Sequence, residues 1–467
     1  MRKTMNQDAP ASEDRQRVAA GRMWRALELD EAALGRLAFQ SRDDLPSAYR
    51  VSDLAAGAIG VAALAISELI AIDGPAALVK VNRRLAALWF GWSIKPIGWE
   101  TPAAWDSIAG DYRAADGWIR LHTNAPRHRA AALAVLDCKE DRDAVAAAAE
   151  GWSADELETA VVAAGGCAAA MRTEEAWAEH PQGAAVGTEP LVDMQRVGGV
   201  ERGWGWRPRP DRPLAGIRVL DLTRVLAGPV ATRFLAGYGA SVLRIDPPDW
   251  DEPGVIPEVT LGKRCTRLDF ERSEDRAIFE GLLSTADVFV HGYRPDALQA
   301  LGYGEDTRRA IAPKIIDVSL DAYGWTGPWK ARRGFDSLVQ MSSGIAARGM
   351  AWKKADRPTP LPVQALDQAT GYLMAATAVR GLIGRLRSGE SLRGRVSLAR
   401  TASELVQLGR MDEAGAWTDA SEADISAIVE TTDWGPARRG RAPADIKNAP
   451  MRWDRGASRL GTAPPAW

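Results

Sequence analysis

From residue 213 onward the chain predicts an open α/β fold, a parallel sheet with helices on both faces. Two observations carry that reading. Short apolar runs at 217–223 (IRVLDLT), 242–246, 287–290 and 314–320 read as strands, and helical patterns at 230–238, 273–286 and 295–301 fall between them. Strands that alternate with helices need crossover connections, which in one sheet make the strands parallel and the fold doubly wound, or Rossmann-like. Ligands of such sheets bind beyond the carboxyl ends of the strands, so the informative loops are those after Thr223, Asp246, Val290 and Leu320.

The remaining segments follow in order. Residues 1–23 are polar. Residues 24–110 read as helical, with Asp53 opening an Ala-rich segment whose longest wholly apolar run is 54–66, too short for the roughly 20 residues a membrane span needs. Residues 111–185 begin with a turn and a short strand at Asp116-Gly-Trp-Ile-Arg-Leu, then turn Ala-rich and helical, the pattern of a smaller α+β domain. Residues 186–213, with GWGWRPRP at 203–210, read as a linker. The α/β unit spans 214–410 and includes a helix from Asp367 to about Arg387. Residues 411–467 read as a segment wrapping over the surface. There is also an internal echo. Asp53-x-x-x-Gly57 and Asp367-x-x-x-Gly371 each open an apolar helix, and VNRRLA at 81–86 parallels VSLARTA at 396–402 at nearly the same offset, which reads as a diverged partial duplication.

Composition removes several classes. The 59 Lys plus Arg against 61 Asp plus Glu leave a net charge of −2, which argues against a nucleic-acid binder. The N-terminus has no apolar core of a secretory signal, and a cytoplasmic protein without a membrane partner is expected. Cys138, Cys167 and Cys265 are too scattered for a disulfide framework, and the four histidines form no zinc pattern, so no metal is expected. The 18 tryptophans read as packing and interface residues. The first βα turn, 221–229 (DLTRVLAGP), lacks Gly-x-Gly-x-x-Gly, which makes an NAD dehydrogenase a minor reading despite Asp246. Neither a P-loop nor a Gly-x-Ser-x-Gly elbow occurs.

The segments 213–229 (PLAGIRVLDLTRVLAGP), 241–248 (SVLRIDPP), 262–269 (GKRCTRLD) and 287–295 (DVFVHGYRP) closely resemble the family III CoA-transferases. LGYG at 301–304, YGWTGP at 323–328, GFDSLVQMSSG at 334–344 and Asp367-x-x-x-Gly371 continue the match in the family's order. The resemblance implies that family's α/β fold and a homodimer of interlocked chains, although an internal duplication also permits a monomer. It implies CoA transfer between an acyl-CoA and a carboxylic acid acceptor, with coenzyme A as substrate and no permanently bound cofactor. Asp367 then becomes the nucleophile, passing through a mixed anhydride and an aspartyl-CoA thioester. By residue type alone an Asp before an apolar helix is an N-cap. The upstream motifs reverse that for Asp367, whereas Asp53 stays a cap or a vestigial second copy.

For CoA the resemblance points to Val225 and Leu226 beside the adenosine and Arg244 near base or phosphates. Lys263 and Arg264 are expected on the next loop, then Gly292, Tyr293 and Arg294, then Tyr323. Any one Lys or Arg is by default a solvated charge, and only convergence on one sheet edge favours an anionic ligand. Relatives carry Arg at the position of Ala300, and the formyl-CoA branch carries a basic residue at that of Asp321. The racemase branch has His where this chain has Phe335, which lowers racemisation as a reading. Intramolecular CoA transfer and a non-catalytic CoA-binding protein stay open beside it. Segment order also departs: 116–183 (DGWIRLH, GGCAAAM, HPQG) resembles the family's small domain but precedes the α/β unit, and 449–467 resembles its closing segment. Six Arg between 380 and 400 read as a solvated face or subunit contact.

Overall fold

The computed structural model describes residues 12–197 and 203–467. In the N-terminal part β1 (Leu37–Gln40) and β2 (Val79–Asn82) pair in parallel, and β3 (Ile94–Pro96) follows. The small domain is an antiparallel sheet of β4 (Gly110–Arg113), β5 (Trp118–Leu121) and β6 (Ala168–Ala170). Ile119 and Leu121 join Leu136, Val145, Leu157 and Val161 from its helices in a separate core. The strands β7 (Asp193–Val197), β8 (Arg218–Leu222), β9 (Ser241–Asp246), β10 (Lys263–Arg267), β11 (Val288–His291), β12 (Ile316–Asp321) and β13 (Ser391–Ser397) form the main sheet. Its order is β10-β9-β8-β11-β12-β13-β7, parallel except for β7. Strand order reverses between β8 and β11, and the crevice beyond their carboxyl ends is where such sheets hold ligands.

Alternate residues of these strands feed two cores, as a period of two requires. Val219, Val242, Val290 and Val318 face the helices Ala227–Gly237 and Ala365–Ser388, while Leu220, Leu243, Ile245 and Phe289 face Leu282 and Leu283 of the helix Ser273–Ser284. The sheet is the doubly wound one expected. Two strands escape the sequence pattern because Lys263–Arg267 and Ser391–Ser397 are too polar to look like core strands. The stretch that reads as a linker supplies β7, because Asp193–Val197 finds an open sheet edge at β13. Residues 198–202 of that stretch, and 1–11 of the polar N-terminus, lie outside the described residues; residues 12–23 belong to the helix Ser12–Ala26. In the last segment β14 (Glu430–Thr432) and β15 (Gly435–Arg439) form a hairpin paired with β3, and β16 (Ala444–Ile446) adds to β2, so the chain end clasps the N-terminal part.

The Ala-rich helix runs Val51–Ile70, longer than the apolar run at 54–66, because Ser67 and Glu68 continue it. It is long and apolar enough to cross a membrane, yet all of it is buried in the protein. Asp53 lies inside its first turn and caps nothing. Its carboxylate is paired with the buried Arg83 at 3.1 Å and with Arg50 at 3.6 Å.

The echo has a structural counterpart. β1, the helix Val51–Ile70, β2 and the helix Arg83–Trp89 run in the same order as β12, the helix Ala365–Ser388, β13 and the helix Leu398–Leu408. Both strand pairs are parallel, and the last helices are capped alike: Asn82 accepts from the Leu85 N–H and Ser397 from the Arg400 N–H. The two glycines serve helix crossings. A Cβ at Gly57 meets Ala19 Cβ at 2.8 Å, and one at Gly371 meets Val230 Cβ at 2.9 Å and the Ala227 carbonyl oxygen. Gly371→Ala is therefore expected to cost about 1–3 kcal/mol through overpacking, read as a lower midpoint of denaturant unfolding.

Candidate active site

The helix Ala365–Ser388 begins beside the crevice, and its first turn carries Asp367, only 7% exposed. Its N-cap is Gln364, which makes no side-chain cap bond. The free N–H groups of this turn go instead to another element. Leu366 and Asp367 both donate to Asp336 Oδ2 at 2.9 Å, and Gln340 Nε2 donates to Asp336 Oδ1. Asp367 is thus free of capping duty. Burial raises its pKa well above the ordinary carboxylate value, and the nearby Asp336 charge adds to that, while the Ala227 N–H works in the opposite direction. Burial also pushes Asp336 up to about 6.

Asp367 stands where two cavities meet. One, of about 480 Å³, is lined by Phe90, Trp92, Trp105, His122, Val363 and Gln364 among others. The second, of about 700 Å³, opens over the carboxyl ends of β8, β9, β11 and β12, and five arginines line it: Arg127, Arg224, Arg294, Arg332 and Arg333. Val225, Trp250, Phe335 and Asp367 belong to both walls. Among the described residues no group of His, Cys, Asp or Glu is arranged to hold a metal ion.

Of the sequence-predicted residues, Gly292, Tyr293 and Arg294 line the second cavity, Leu226 the first and Val225 both. Val225 has φ +63°, an outlier for a β-branched side chain. Its N–H is held by both Glu252 oxygens at 2.9 and 3.0 Å, and strain maintained this way is characteristic of functional turns.

Four residues are not where they were expected, and none of them lines either cavity. Arg244 points inside the sheet, bidentate to Asp246 at 2.8 Å and 3.3 Å from Glu252. It therefore supports the Val225 turn rather than a phosphate. Lys263 is buried at the start of β10, not on a loop, with Nζ 3.0 Å from Asp221 and 2.9 Å from the Pro229 carbonyl. Arg264 sits at the same amino end of the strand and donates to Ser241 Oγ. Tyr323 is buried, with its hydroxyl 3.2 Å from Ser342 Oγ.

The structure supplies other cations in their place. Arg224, inside the quoted DLTRVLAGP turn, stacks over Trp250 at 4.7 Å and Tyr293 at 5.0 Å and donates to the Tyr293 hydroxyl. Arg332 and Arg333 directly precede the Gly334-Phe-Asp motif, a signal the sequence did carry. Arg332 is committed to Glu158 at 2.9 Å and to Trp329. Arg333 is held below the usual guanidinium range by burial and by repulsion from Arg294 and Arg127, the kind of mutual strain a bound anion relieves. Arg127 arrives from the small domain and had no local signal. Asp321 does line this cavity, but burial raises its pKa well above the ordinary value and favours its neutral form. The arginines between 380 and 400 are largely spent within the fold, as Arg385 is on Asp287, Arg393 on Asp193 and Arg395 on Glu305.

Phe335, at the racemase histidine position, has two imidazoles beside it. His122 is stacked on it at 3.7 Å and His128 lies edge-on at 6.0 Å. Burial pushes them down to about 3 and about 4, which makes both poor bases for an α-proton.

A carboxyl must be ionised to act as a nucleophile, so for any reaction that uses Asp367 in that role its raised pKa predicts an acid limb above the ordinary carboxylate range. Asp336→Asn keeps an oxygen for the two N–H donors but removes the negative charge. That lowers the Asp367 pKa, and the acid limb of kcat/KM is expected to move toward lower pH. A merely structural role for Asp336 would lower activity without moving the limb. For stability the sign is the reverse of the usual carboxylate case. Asp336 contributes stability below its unfolded value near ~4 that is lost as pH rises through about 6.

An open α/β protein with a strained βα turn, an arginine-walled crevice and the buried Asp367 carboxyl at its head is the class that fold and site define. The CoA-transferase family III model matches residues 214–451, and the chain belongs to that family. The acyl-CoA transferase of Fusarium pseudograminearum is 29% identical over 253 residues, 50% of this chain and 53% of that one. The succinyl-CoA:glutarate CoA-transferase of Mus musculus is 34% identical over 206 residues, 40% of this chain and 47% of that one. A crystal structure of Rv3272 from M. tuberculosis, 31% identical, aligns with a TM-score of 0.40 over 43% of this chain and 57% of that one. The chain spans about half the length of these curated relatives.

Proposed function

We propose that the protein transfers CoA from an acyl-CoA to a carboxylic acid through Asp367. The observation that carries this is the position of Asp367 at the junction of an arginine-walled crevice and a chamber lined by aromatic rings and, among the described residues, without arginine. CoA lies in the crevice, its phosphates on Arg127, Arg224, Arg294 and Arg333, and the thioester reaches Asp367. The Asp367 carboxylate attacks the thioester carbon; a C–O bond forms, the C–S bond breaks, and CoA leaves as thiolate. The thiolate attacks the Asp367 carbonyl of the mixed anhydride and releases the first acid as carboxylate. The acceptor carboxylate then attacks the aspartyl-CoA thioester, freeing the thiolate again. That thiolate takes the new acyl group from the anhydride, and Asp367 is restored. No net proton is consumed. The Ala227 N–H, directed at the Asp367 carboxyl, supports charge on its oxygens during both attacks.

The same reading takes the protein as cytoplasmic. It also takes residues 24–110 as a partial repeat of 214–410, which the shared strand–helix–strand–helix order supports. Assembly as a homodimer, or as a monomer completed by that repeat, is separated by light scattering of the purified chain. The test of function is to supply an acyl-CoA together with a second carboxylic acid. A new acyl-CoA formed with total thioester conserved is the expected result, and thioester loss to water alone would overturn it.

A further inference from the structure

We propose that the acyl groups and acceptor acids used by this protein have an apolar body and no second carboxylate. This rests on the Asp367 transfer reading above and concerns the chamber on the far side of Asp367 from the arginines.

Among the described residues no Arg or Lys lines that chamber, and all five arginines of the site face the second cavity. Its walls instead include the carboxyl groups of Asp106, Asp251, Glu252 and Asp336. Asp106 Oδ1 accepts from the Ile108 and Ala109 N–H groups, and its Oδ2 is buried without a partner. Glu252 is already occupied by the Val225 N–H and Arg244. The imidazole in this wall, His122, is clamped against Phe335 and neutral, so it brings no positive charge. A second carboxylate on the acyl chain would therefore be desolvated among like charges with no cation in the chamber wall to pair with, since Arg120, over the outer Trp105 ring at 5.0 Å, is itself paired with Asp111 at 2.7 Å.

What the chamber does offer is ring surface: Phe90, Trp92, Trp105, Trp250 and Phe335. Trp92 and Trp105 are 41% and 39% exposed, unusual for indoles outside a contact site, and both belong to this wall. A chamber of about 480 Å³ lies within the roughly 300–1,000 Å³ range of small-molecule pockets, with room for an aromatic or branched acyl group.

The experiment offers the full chain equal concentrations of benzoyl-CoA, isobutyryl-CoA and succinyl-CoA, and follows the CoA adduct on Asp367 by intact-protein mass spectrometry. The two apolar thioesters are expected to form it at least ~100-fold faster than succinyl-CoA. Equal or faster labelling by succinyl-CoA overturns the proposal. Trp92→Arg, a change at a half-exposed position, places a cation in the wall and is expected to reduce that preference at least ~10-fold; an unchanged preference also overturns it. If no thioester labels the protein, covalent transfer itself fails. Equilibrium binding of the same three thioesters then decides the chamber: tighter binding of the apolar pair supports it, and equal binding refutes it.

Discussion

Asp367→Ala is expected to abolish the hydroxylamine-sensitive CoA adduct and to lower kcat/KM by at least ~10⁴-fold. Neither Asp336 nor Asp53 is free to replace the proposed nucleophile. Asp336, the nearest carboxyl, is occupied by two backbone N–H groups and Gln340, and Asp53 is locked by Arg83. The variant should fold at least as well as the parent, because Asp367 is a buried carboxyl whose pKa is raised and which pairs with no cation among the described residues. Thermal unfolding thus serves as the control that separates lost chemistry from lost structure. An adduct that survives in the variant would end the assignment.

The second large effect is on stability. Arg83→Leu is expected to cost about 3–5 kcal/mol, because it leaves the fully buried Asp53 carboxyl with only Arg50, 3.6 Å away, beside it. The Arg83 guanidinium also bonds Asp44 and the Asp43 carbonyl oxygen, so its loss loosens residues 43–44 as well. Burial already raises the Asp53 pKa against the pull of Arg83. Without Arg83 the pKa rises further, so the penalty should shrink as pH falls and Asp53 takes a proton. The double variant Asp53→Leu with Arg83→Leu should recover most of the loss, since an apolar pair of similar volume replaces a buried ion pair at little cost. Urea unfolding of the parent, Arg83→Leu, Asp53→Leu and the double variant at neutral and mildly acid pH measures this. A single variant as stable as the parent would show that Arg83 does not hold Asp53.

The contrast between the two Asp-x-x-x-Gly helices rests on one position after the paired strand. VNRRLA places Arg83 there and VSLARTA places Leu398. In the first helix the carboxylate meets a guanidinium and is quenched. In the second, Leu398 lines the cavity beside Asp367. The echo was legible, but this consequence was not, because residues about 30 positions apart touch only once the strand has closed over the helix.

Charge type misled most where side-chain direction mattered. Arg244 and Lys263 look like phosphate ligands by residue type, yet each lies within a strand and turns inward to a carboxylate. Arg244 and Asp246 are two apart on β9 and so share a face, which a strict period-two reading of SVLRID already implies.

By itself the sequence determined the parallel α/β sheet, the family, the loops at the carboxyl edge and Asp367 at a helix start, because strand runs, turns and motif order are local. Only the tertiary structure decided which cations face the crevice. It also made Asp336 rather than Asp367 the cap of the helix, and it brought Arg127 and His122 from the small domain against the α/β unit. Those decisions depend on packing between segments distant in the chain, 31 residues for Asp336 and Asp367 and more than two hundred for His122 and Phe335, where burial and pairing override what a residue's type suggests.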